Sequence, residues 1–225
     1  MVKKDIVLIG SSSEIATEFI KTCSENSENV ITISRSNSRE TQGNQHLKIN
    51  EYFSDYEDIK NLIKKLDNPV LIFFNGFLAE NRDLYSPTND EIVKTDEINF
   101  TIPYMLSQKL NAELNNVSKY VFISTMAAIK PRYKNYIYGL SKRKLEESVK
   151  YINLPSLLII RFGKVKTKMS KNHSDPPFTL SSKDAANSLY KKLDSEGIKY
   201  PHFGLFFIAN LIKLLPVMIL KKIKT

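Results

Sequence analysis

Short runs of apolar, largely β-branched residues alternate with longer segments of helical periodicity. No other feature of the 225-residue chain constrains its fold as much. The runs are 5–9 (DIVLI), 29–34 (NVITIS), 46–49, 70–74 (VLIFF), 119–124 (KYVFIS) and 156–161 (SLLIIR). Several lack polar alternation, the pattern of parallel strands covered on both faces. Helical patterns lie near 13–25, 55–66, 88–115, 137–152 and 182–194. The expectation is an α/β fold with a doubly wound parallel sheet and right-handed crossovers. The length suits one such domain, over about residues 1–200, with an apolar segment at 203–225. Residues 170–181 (SKNHSDPPFTLS) read as a loop, because Pro176–Pro177 cannot sit inside a helix.

Composition narrows the partners. The net charge is +9, and nearly half of it comes from Lys213, Lys221, Lys222 and Lys224 in a tail without acids. No basic stripe with interleaved aromatics remains, so nucleic acid is not the expected partner. The single cysteine, Cys23, has no partner for an internal disulfide and suits a reducing compartment. It falls in a helical pattern with no nearby histidine and reads as a buried structural thiol. His46, His173 and His202 lack ligand spacing, so no metal is expected. The N-terminal apolar run, Ile6 to Ile9, is too short for a secretory signal.

The segment VLIGSSSEIATEF (7–19) follows the first apolar run with Gly10 and three serines. A glycine there allows a tight turn and close approach to a phosphate. Ser11, Ser12 and Ser13 offer donors at a helix N-terminus, where an anion is stabilised. Ser11 and Glu14 have the spacing of a capping box, so Glu14 is expected to fold back on the helix's own amides.

The segment VFISTMAAIKPRYKNYIYGLSKRKLEES (121–148) carries the chemistry. Tyr138 and Lys142 stand four apart on one helical face. A lysine cation beside a phenol lowers the phenol pKa, and a tuned tyrosine can pass a proton to a developing alkoxide. Thr125, with Ser124 beside it, ends an apolar strand thirteen residues before Tyr138. The spacing favours Thr125 as the partner hydroxyl and the residue type favours Ser124. Asn99, flanked by apolar residues in a long helical segment, could line a water path. A second Tyr-x-x-x-Lys, at Tyr56 and Lys60, follows no buried strand and reads as a solvated helix face.

Together these residues resemble the short-chain dehydrogenase/reductase family, from about Lys4 to Met169 and in motif order. The resemblance implies a Rossmann-like domain and hydride exchange between a nicotinamide cofactor and a ketone/secondary-alcohol pair. The first loop departs from the family's T-G-x-x-x-G-x-G at Glu14 and Ala16. FFNG keeps Asn75 and Gly76, and RFGKVKTKM has Phe162 where the family has proline. Catalytic positions fall on Asn99, Thr125 or Ser124, Tyr138 and Lys142. Cofactor contacts fall on Gly10, Ser11, Ser12, Ser13, Ile15, Asn50, Asn75, Gly76, Val165 and Thr167, together with Tyr138 and Lys142. The second strand ends in Ser34 and Arg35 without an acid. That adds Arg35 to the contacts and favours NADP(H) over NAD(H). The loop 170–181 is expected to close over substrate.

A narrower likeness is to the decaprenylphosphoryl-ribose 2-keto reductases. It rests on the first-loop glutamate, Y-G-x-[ST]-K, V-x-T-K-M and an apolar-basic C-terminus. It implies a lipid-linked keto-sugar, cell-envelope glycan synthesis and a flavin-dependent oxidase partner. A reductase of an acyl or steroid-like ketone, with the tail as an oligomer contact, stays open. So does a catalytically silent nucleotide-binding subunit.

The tail FGLFFIANLIKLLPVMILKKIKT is apolar from Phe203 to Leu220 except for Asn210 and Lys213. Eighteen helical residues span about 27 Å, marginal for a bilayer core, and Lys213 and Pro216 interrupt them. The expectation is a helix lying on a membrane surface at the cytoplasmic face, its lysines reaching the headgroups. The alternative is a tail that covers the protein's own core or a subunit interface.

Overall fold

The computed structural model describes residues 4–36, 43–79, 87–130, 135–171 and 174–216. Strands β1 (Asp5–Ile9), β2 (Asn29–Ser34), β3 (Gln45–Lys48), β4 (Val70–Phe73), β5 (Lys119–Thr125) and β6 (Leu157–Phe162) coincide with the apolar runs to within a residue at each end. Two short strands, β7 (Val165–Lys166) and β8 (Leu180–Ser181), pair with each other, and β9 (Gly197–Lys199) extends the main sheet. The order is β3-β2-β1-β4-β5-β6-β9, with every pair parallel. The chain therefore winds outward twice from the β1–β4 pair. The carboxyl ends of those two strands form the switch point, where ligands bind in such sheets.

Alternating strand residues feed two cores. Val7, Ile9, Ile31, Ile33, Leu71 and Phe73 pack on α2 (Tyr56–Lys64), α4 (Ile102–Glu113) and α5 (Tyr136–Val149). Ile6, Leu8, Val30, Ile72 and Ile160 pack on α1 (Glu14–Glu25) and α6 (Ser182–Tyr190). Burial on both faces explains why the strands are apolar without alternation. Strand β9 escaped sequence reading because it is only Gly-Ile-Lys, with no apolar run to mark it.

The expected single helix over 88–115 is divided. α3 (Asn89–Asp96) runs into a π-helical turn, Glu97–Thr101, before α4 begins. Pro103 stands at the start of α4 and has no N–H to return to the Asn99 carbonyl four residues back, so the α-helical ladder cannot run through.

Leu180–Ser181 of the expected loop 170–181 form β8, and Asp175 and Phe178 anchor it. Asp175 accepts from Lys164 and Lys166 at 2.6 and 3.0 Å, and Phe178 stacks on His202 at 4.5 Å. Residues 172–173, including His173, lie outside the described residues.

The tail forms α7 (Phe203–Leu214), and residues 217–225 lie outside the described part. Leu205, Ala209 and Ile212 pack on Met126 and Ile129 in a third small core. Lys130 Nζ donates to the carbonyls of Lys213 and Leu215 at 2.6 and 2.8 Å. That satisfies backbone acceptors that a helix end leaves open. The opposite face stays apolar and exposed, with Phe203 at 71% and Leu214 at 81%. No helix among the described residues is long and apolar enough to cross a membrane.

Candidate active site

The first loop turns at Gly10 with φ +80°, and a Cβ there would stand 3.1 Å from the Asn75 backbone nitrogen. Only glycine lets β1 and β4 approach so closely at the switch point. Ser11 is fully buried and its Oγ has no hydrogen-bond partner. Ser12 is exposed, and Ser13 is the N-cap of α1 without making a side-chain cap bond. Ile15 is half-buried in the first turn, and Ala16 packs fully buried against the sheet, so the alanine fits where a glycine was expected. A tight glycine turn, an unpartnered buried hydroxyl and a helix N-terminus fit a phosphate-bearing dinucleotide.

Glu14 does not form the expected capping box. The helix starts at Glu14 itself, which makes this residue N1, and a box needs the acid at N3. Its Oε1 instead accepts the backbone N–H of Lys168 at 2.6 Å, across the mouth of the loop.

Tyr138 and Lys142 lie on the first turns of α5. Gly139 brings that helix against the turn Met126–Ala128, where a Cβ would stand 2.7 Å from the Ala127 carbonyl oxygen. Thr125 caps the same turn, its Oγ1 accepting from Ala127 N at 3.2 Å. Tyr138 and Thr125 therefore flank one close contact at the carboxyl end of β5. Gly139→Ala is expected to force these elements apart at a cost of about 1–3 kcal/mol, read as a lower thermal unfolding midpoint.

Lys142 is buried, and its Nζ donates to the carbonyls of Asn75 at 2.7 Å and Ile123 at 3.0 Å, joining the ends of β4 and β5. Burial pushes its pKa down to about 7, partly opposed by the Glu146 carboxylate. Tyr138 differs from expectation: burial pushes its phenol up to about 12. Desolvation of the phenolate is the cause, and the Lys142 ammonium is engaged with the Asn75 and Ile123 carbonyls instead.

The two candidate hydroxyls have different surroundings. Ser124 is buried and donates to Glu146 Oε1 at 2.5 Å, whereas Thr125 is half-buried at the strand's end. Asn99 is fully buried in the π-helical turn. Its Oδ1 accepts from Phe77 N at 2.9 Å and its Nδ2 donates to Phe77 O at 2.8 Å. The side-chain amide is thus spent on the chain that follows Gly76. Gly76 itself is not sterically constrained, the nearest atoms to a Cβ being the Phe74 carbonyl oxygen at 3.7 Å and Met169 Cε at 3.8 Å.

Sequence reading missed a buried ion pair beside the site. Arg161 on β6 grips Glu146 on α5 through Nε, at 2.9 and 3.1 Å, and through a terminal nitrogen, and it also donates to Tyr200 Oη at 2.9 Å. The signal was present: an arginine closing a strand buried on both faces needs a partner, and Glu146 follows Lys142 by one helical turn.

At the far side of the switch point, Arg35 is half exposed, with a guanidinium nitrogen 3.6 Å from Glu51. It lines a cleft of about 510 Å³ whose other charged residues are Glu51, Asp90, Lys94 and Glu97. Asn50 is exposed, and its backbone N–H is given to Asp55, whose carboxyl is held below the usual range by that bond first of all. Val165 is buried on β7, and Thr167 caps the short turn that follows it.

The second tyrosine–lysine pair is not a solvated face. Tyr56 is buried in the larger core and its phenol is pushed up to about 12, chiefly by burial, while Lys60 bonds Glu57 and Glu113. Cys23 is buried, with its thiol pushed up to about 12 by burial and by Glu28.

The sheet order, with its crossovers on both sides of the β1–β4 switch point, defines a Rossmann-like, doubly wound α/β fold. No protein-family model matches the chain. Among solved structures, a short-chain dehydrogenase from Burkholderia cenocepacia J2315 in complex with NADP superposes with a TM-score of 0.76 at 14% identity, over 95% of this chain and 98% of that one. One from Sphingobium yanoikuyae in complex with NADPH gives 0.74 at 14%, over 95% and 96%. A 4-hydroxyisoleucine dehydrogenase complexed with NADH gives 0.70 at 17%, over 89% and 98%. At these identities the likeness is one of fold.

Proposed function

We propose that the chain is an NADP(H)-dependent oxidoreductase that reduces a ketone to a secondary alcohol. The observation that supports this reading is the Lys142 ammonium joining the ends of β4 and β5 beside the Gly10 turn, with Tyr138 one helical turn before it and Thr125 capping the turn against which Gly139 packs. NADP(H), when bound, supplies the hydride. Tyr138 is the general acid: a phenol at about 12 stays protonated at neutral pH, the state that reduction requires. Thr125 donates to the ketone oxygen where negative charge develops, since the Ser124 hydroxyl is already given to Glu146. Lys142 holds the nicotinamide ribose. Asn99 serves the proton relay through its backbone carbonyl, because its amide is engaged with Phe77. Gly10, Ser11, Ser12, Ser13 and Ile15 receive the pyrophosphate. Asn50, Asn75, Gly76, Val165 and Thr167 complete the cofactor's surroundings.

Arg35 receives the 2′-phosphate, and its loose pairing with Glu51 leaves it free to do so. Arg35→Glu is expected to weaken NADPH binding at least about tenfold with NADH affinity unchanged, both read by nucleotide fluorescence. Equal affinities in wild type and variant would remove the argument for NADP. Oxidation of NADPH against a panel of keto-sugars, keto-lipids, acyl ketones and steroid-like ketones tests the reaction itself. Turnover with none of them, despite tight nucleotide binding, would favour the silent nucleotide-binding subunit.

The finer reading is a keto-sugar carried on a polyprenyl lipid, in cell-envelope glycan synthesis, with a flavin-dependent oxidase supplying the ketone. Its support is α7. This helix sits on the turn that follows Thr125 and presents Phe203, Phe206, Phe207, Leu211 and Leu214 outward. Contiguous exposed apolar surface of this kind marks an interaction site, and the tail's lysines suit an anionic lipid surface at the cytoplasmic face. The protein is expected to sediment with phosphatidylglycerol-containing vesicles, and a Phe203→Ser/Phe207→Ser variant is expected to stay in the supernatant. Wild-type protein that ignores vesicles but elutes as a dimer, with the variant monomeric, would turn the ridge into a subunit contact.

A further inference from the structure

We propose that Glu14 is a positioning residue that fixes the 165–170 segment over the cofactor site, an inference that rests on the nucleotide reading above. Glu14 is the first residue of α1, immediately after the three serines, and it accepts the Lys168 backbone N–H at 2.6 Å from 154 positions away. The segment begins in β7, which pairs with β8 and whose Lys166 carbonyl accepts from Ser182 Oγ at 3.0 Å, and its later part, 167–170, is braced on the segment itself. Ser170 Oγ donates to the Val165 carbonyl at 2.5 Å, Thr167 N donates to Ser170 Oγ at 3.2 Å, and Ser170 N donates to the Thr167 carbonyl at 3.0 Å. The Glu14 bond ties this knot, residues 167–170, to the start of α1, on the far side of the opening from the β8 and Ser182 contacts. The knot spans Thr167 and carries Met169 toward Gly76 at the end of β4.

The chemistry of this placement is specific. A carboxylate beside an anion-binding loop opposes a phosphate unless its charge is directed elsewhere. Bonding to Lys168 N turns one carboxylate oxygen to the far side of the opening and gives it a charge-assisted partner. The residue thereby does two things at once. It removes an acceptor from the loop's own donors, and it sets where the Thr167 backbone stands. A glycine at this position would do neither.

Two substitutions separate position from charge. Glu14→Gln keeps an acceptor oxygen of the same reach, and Glu14→Ala removes it. In the cofactor-free protein, exchange of the Lys168 amide with solvent is expected to be slow in wild type and Glu14→Gln and at least about tenfold faster in Glu14→Ala. The NADPH dissociation constant is expected to rise about tenfold in Glu14→Ala and to stay within about twofold in Glu14→Gln. KM for NADPH should rise in Glu14→Ala with kcat retained. Unchanged Lys168 exchange in Glu14→Ala would overturn the proposal. Faster exchange with unaltered NADPH affinity would overturn it too, as would a Glu14→Gln variant as impaired as Glu14→Ala. A wild-type protein with a protected Lys168 amide that binds no nucleotide would instead bring down the nucleotide reading, and this proposal with it.

Discussion

Tyr138→Phe is expected to lower NADPH-dependent ketone turnover about 10³-fold, with the NADPH dissociation constant unchanged. The substitution removes one hydroxyl and keeps the ring. The ring is half-buried beside a helix whose packing depends on Gly139 and Lys142, so the fold has no reason to change. The sign of the pH dependence follows from the environment. A general acid acts in its protonated form, which is present below its pKa. Burial holds the Tyr138 phenol near 12, so reduction is expected to show no alkaline loss from this group across the neutral range. A tyrosine tuned toward neutrality would instead lose activity as pH rises through 7 to 8. Stopped-flow rates of the bound complex at saturating NADPH, from pH 6 to 10, separate the two cases free of any loss of nucleotide binding through Lys142, and turnover in Tyr138→Phe within tenfold of wild type would end the assignment of Tyr138 as acid.

The fold was legible because strands buried on both faces cannot hide their composition. β1, β2, β4, β5 and β6 are runs that a double-sided core explains, whereas the edge strand β3, Gln45–Lys48, has no fully buried residue. The break in the long helix was readable too, since Pro103 cannot donate to the carbonyl of Asn99. Contacts between distant segments were not legible. Glu14 satisfied a local capping rule at Ser11, but the helix began three residues later and the carboxylate turned to Lys168. The titration of Tyr138 was inferred from its neighbour at i+4, whereas burial by the whole fold decides it. Thr125 and Ser124 are equivalent as letters, and strand alternation separates them by turning Ser124 onto Glu146.

Arg161→Met is expected to destabilise the protein by about 3–5 kcal/mol, the usual cost of leaving one member of a buried ion pair alone. That is a large share of the roughly 5–15 kcal/mol that holds a domain folded. The Arg161 and Glu146 side chains are only 7% and 1% exposed, and the arginine fork spans β6, α5 and the Tyr200 hydroxyl. Removing both charges, as in Arg161→Met/Glu146→Gln, should restore most of the loss, because the glutamine still accepts from Ser124 and no ion is stranded. Urea midpoints of the three proteins test this, and equal stability of single and double variants would show that the charge pair is not the source of the cost. The double variant also asks what the pair does for Lys142. Glu146 pulls the lysine's pKa upward against burial, so without the carboxylate the ammonium loses its proton at a lower pH than about 7. A lysine is charged below its pKa. Any step that needs that charge, nucleotide binding first, should therefore fail earlier as pH rises. An alkaline limb of NADPH affinity that moves to lower pH in a fully folded double variant makes Glu146 part of the electrostatics of the site. A limb that stays in place makes the pair a brace between β6 and α5 and nothing more.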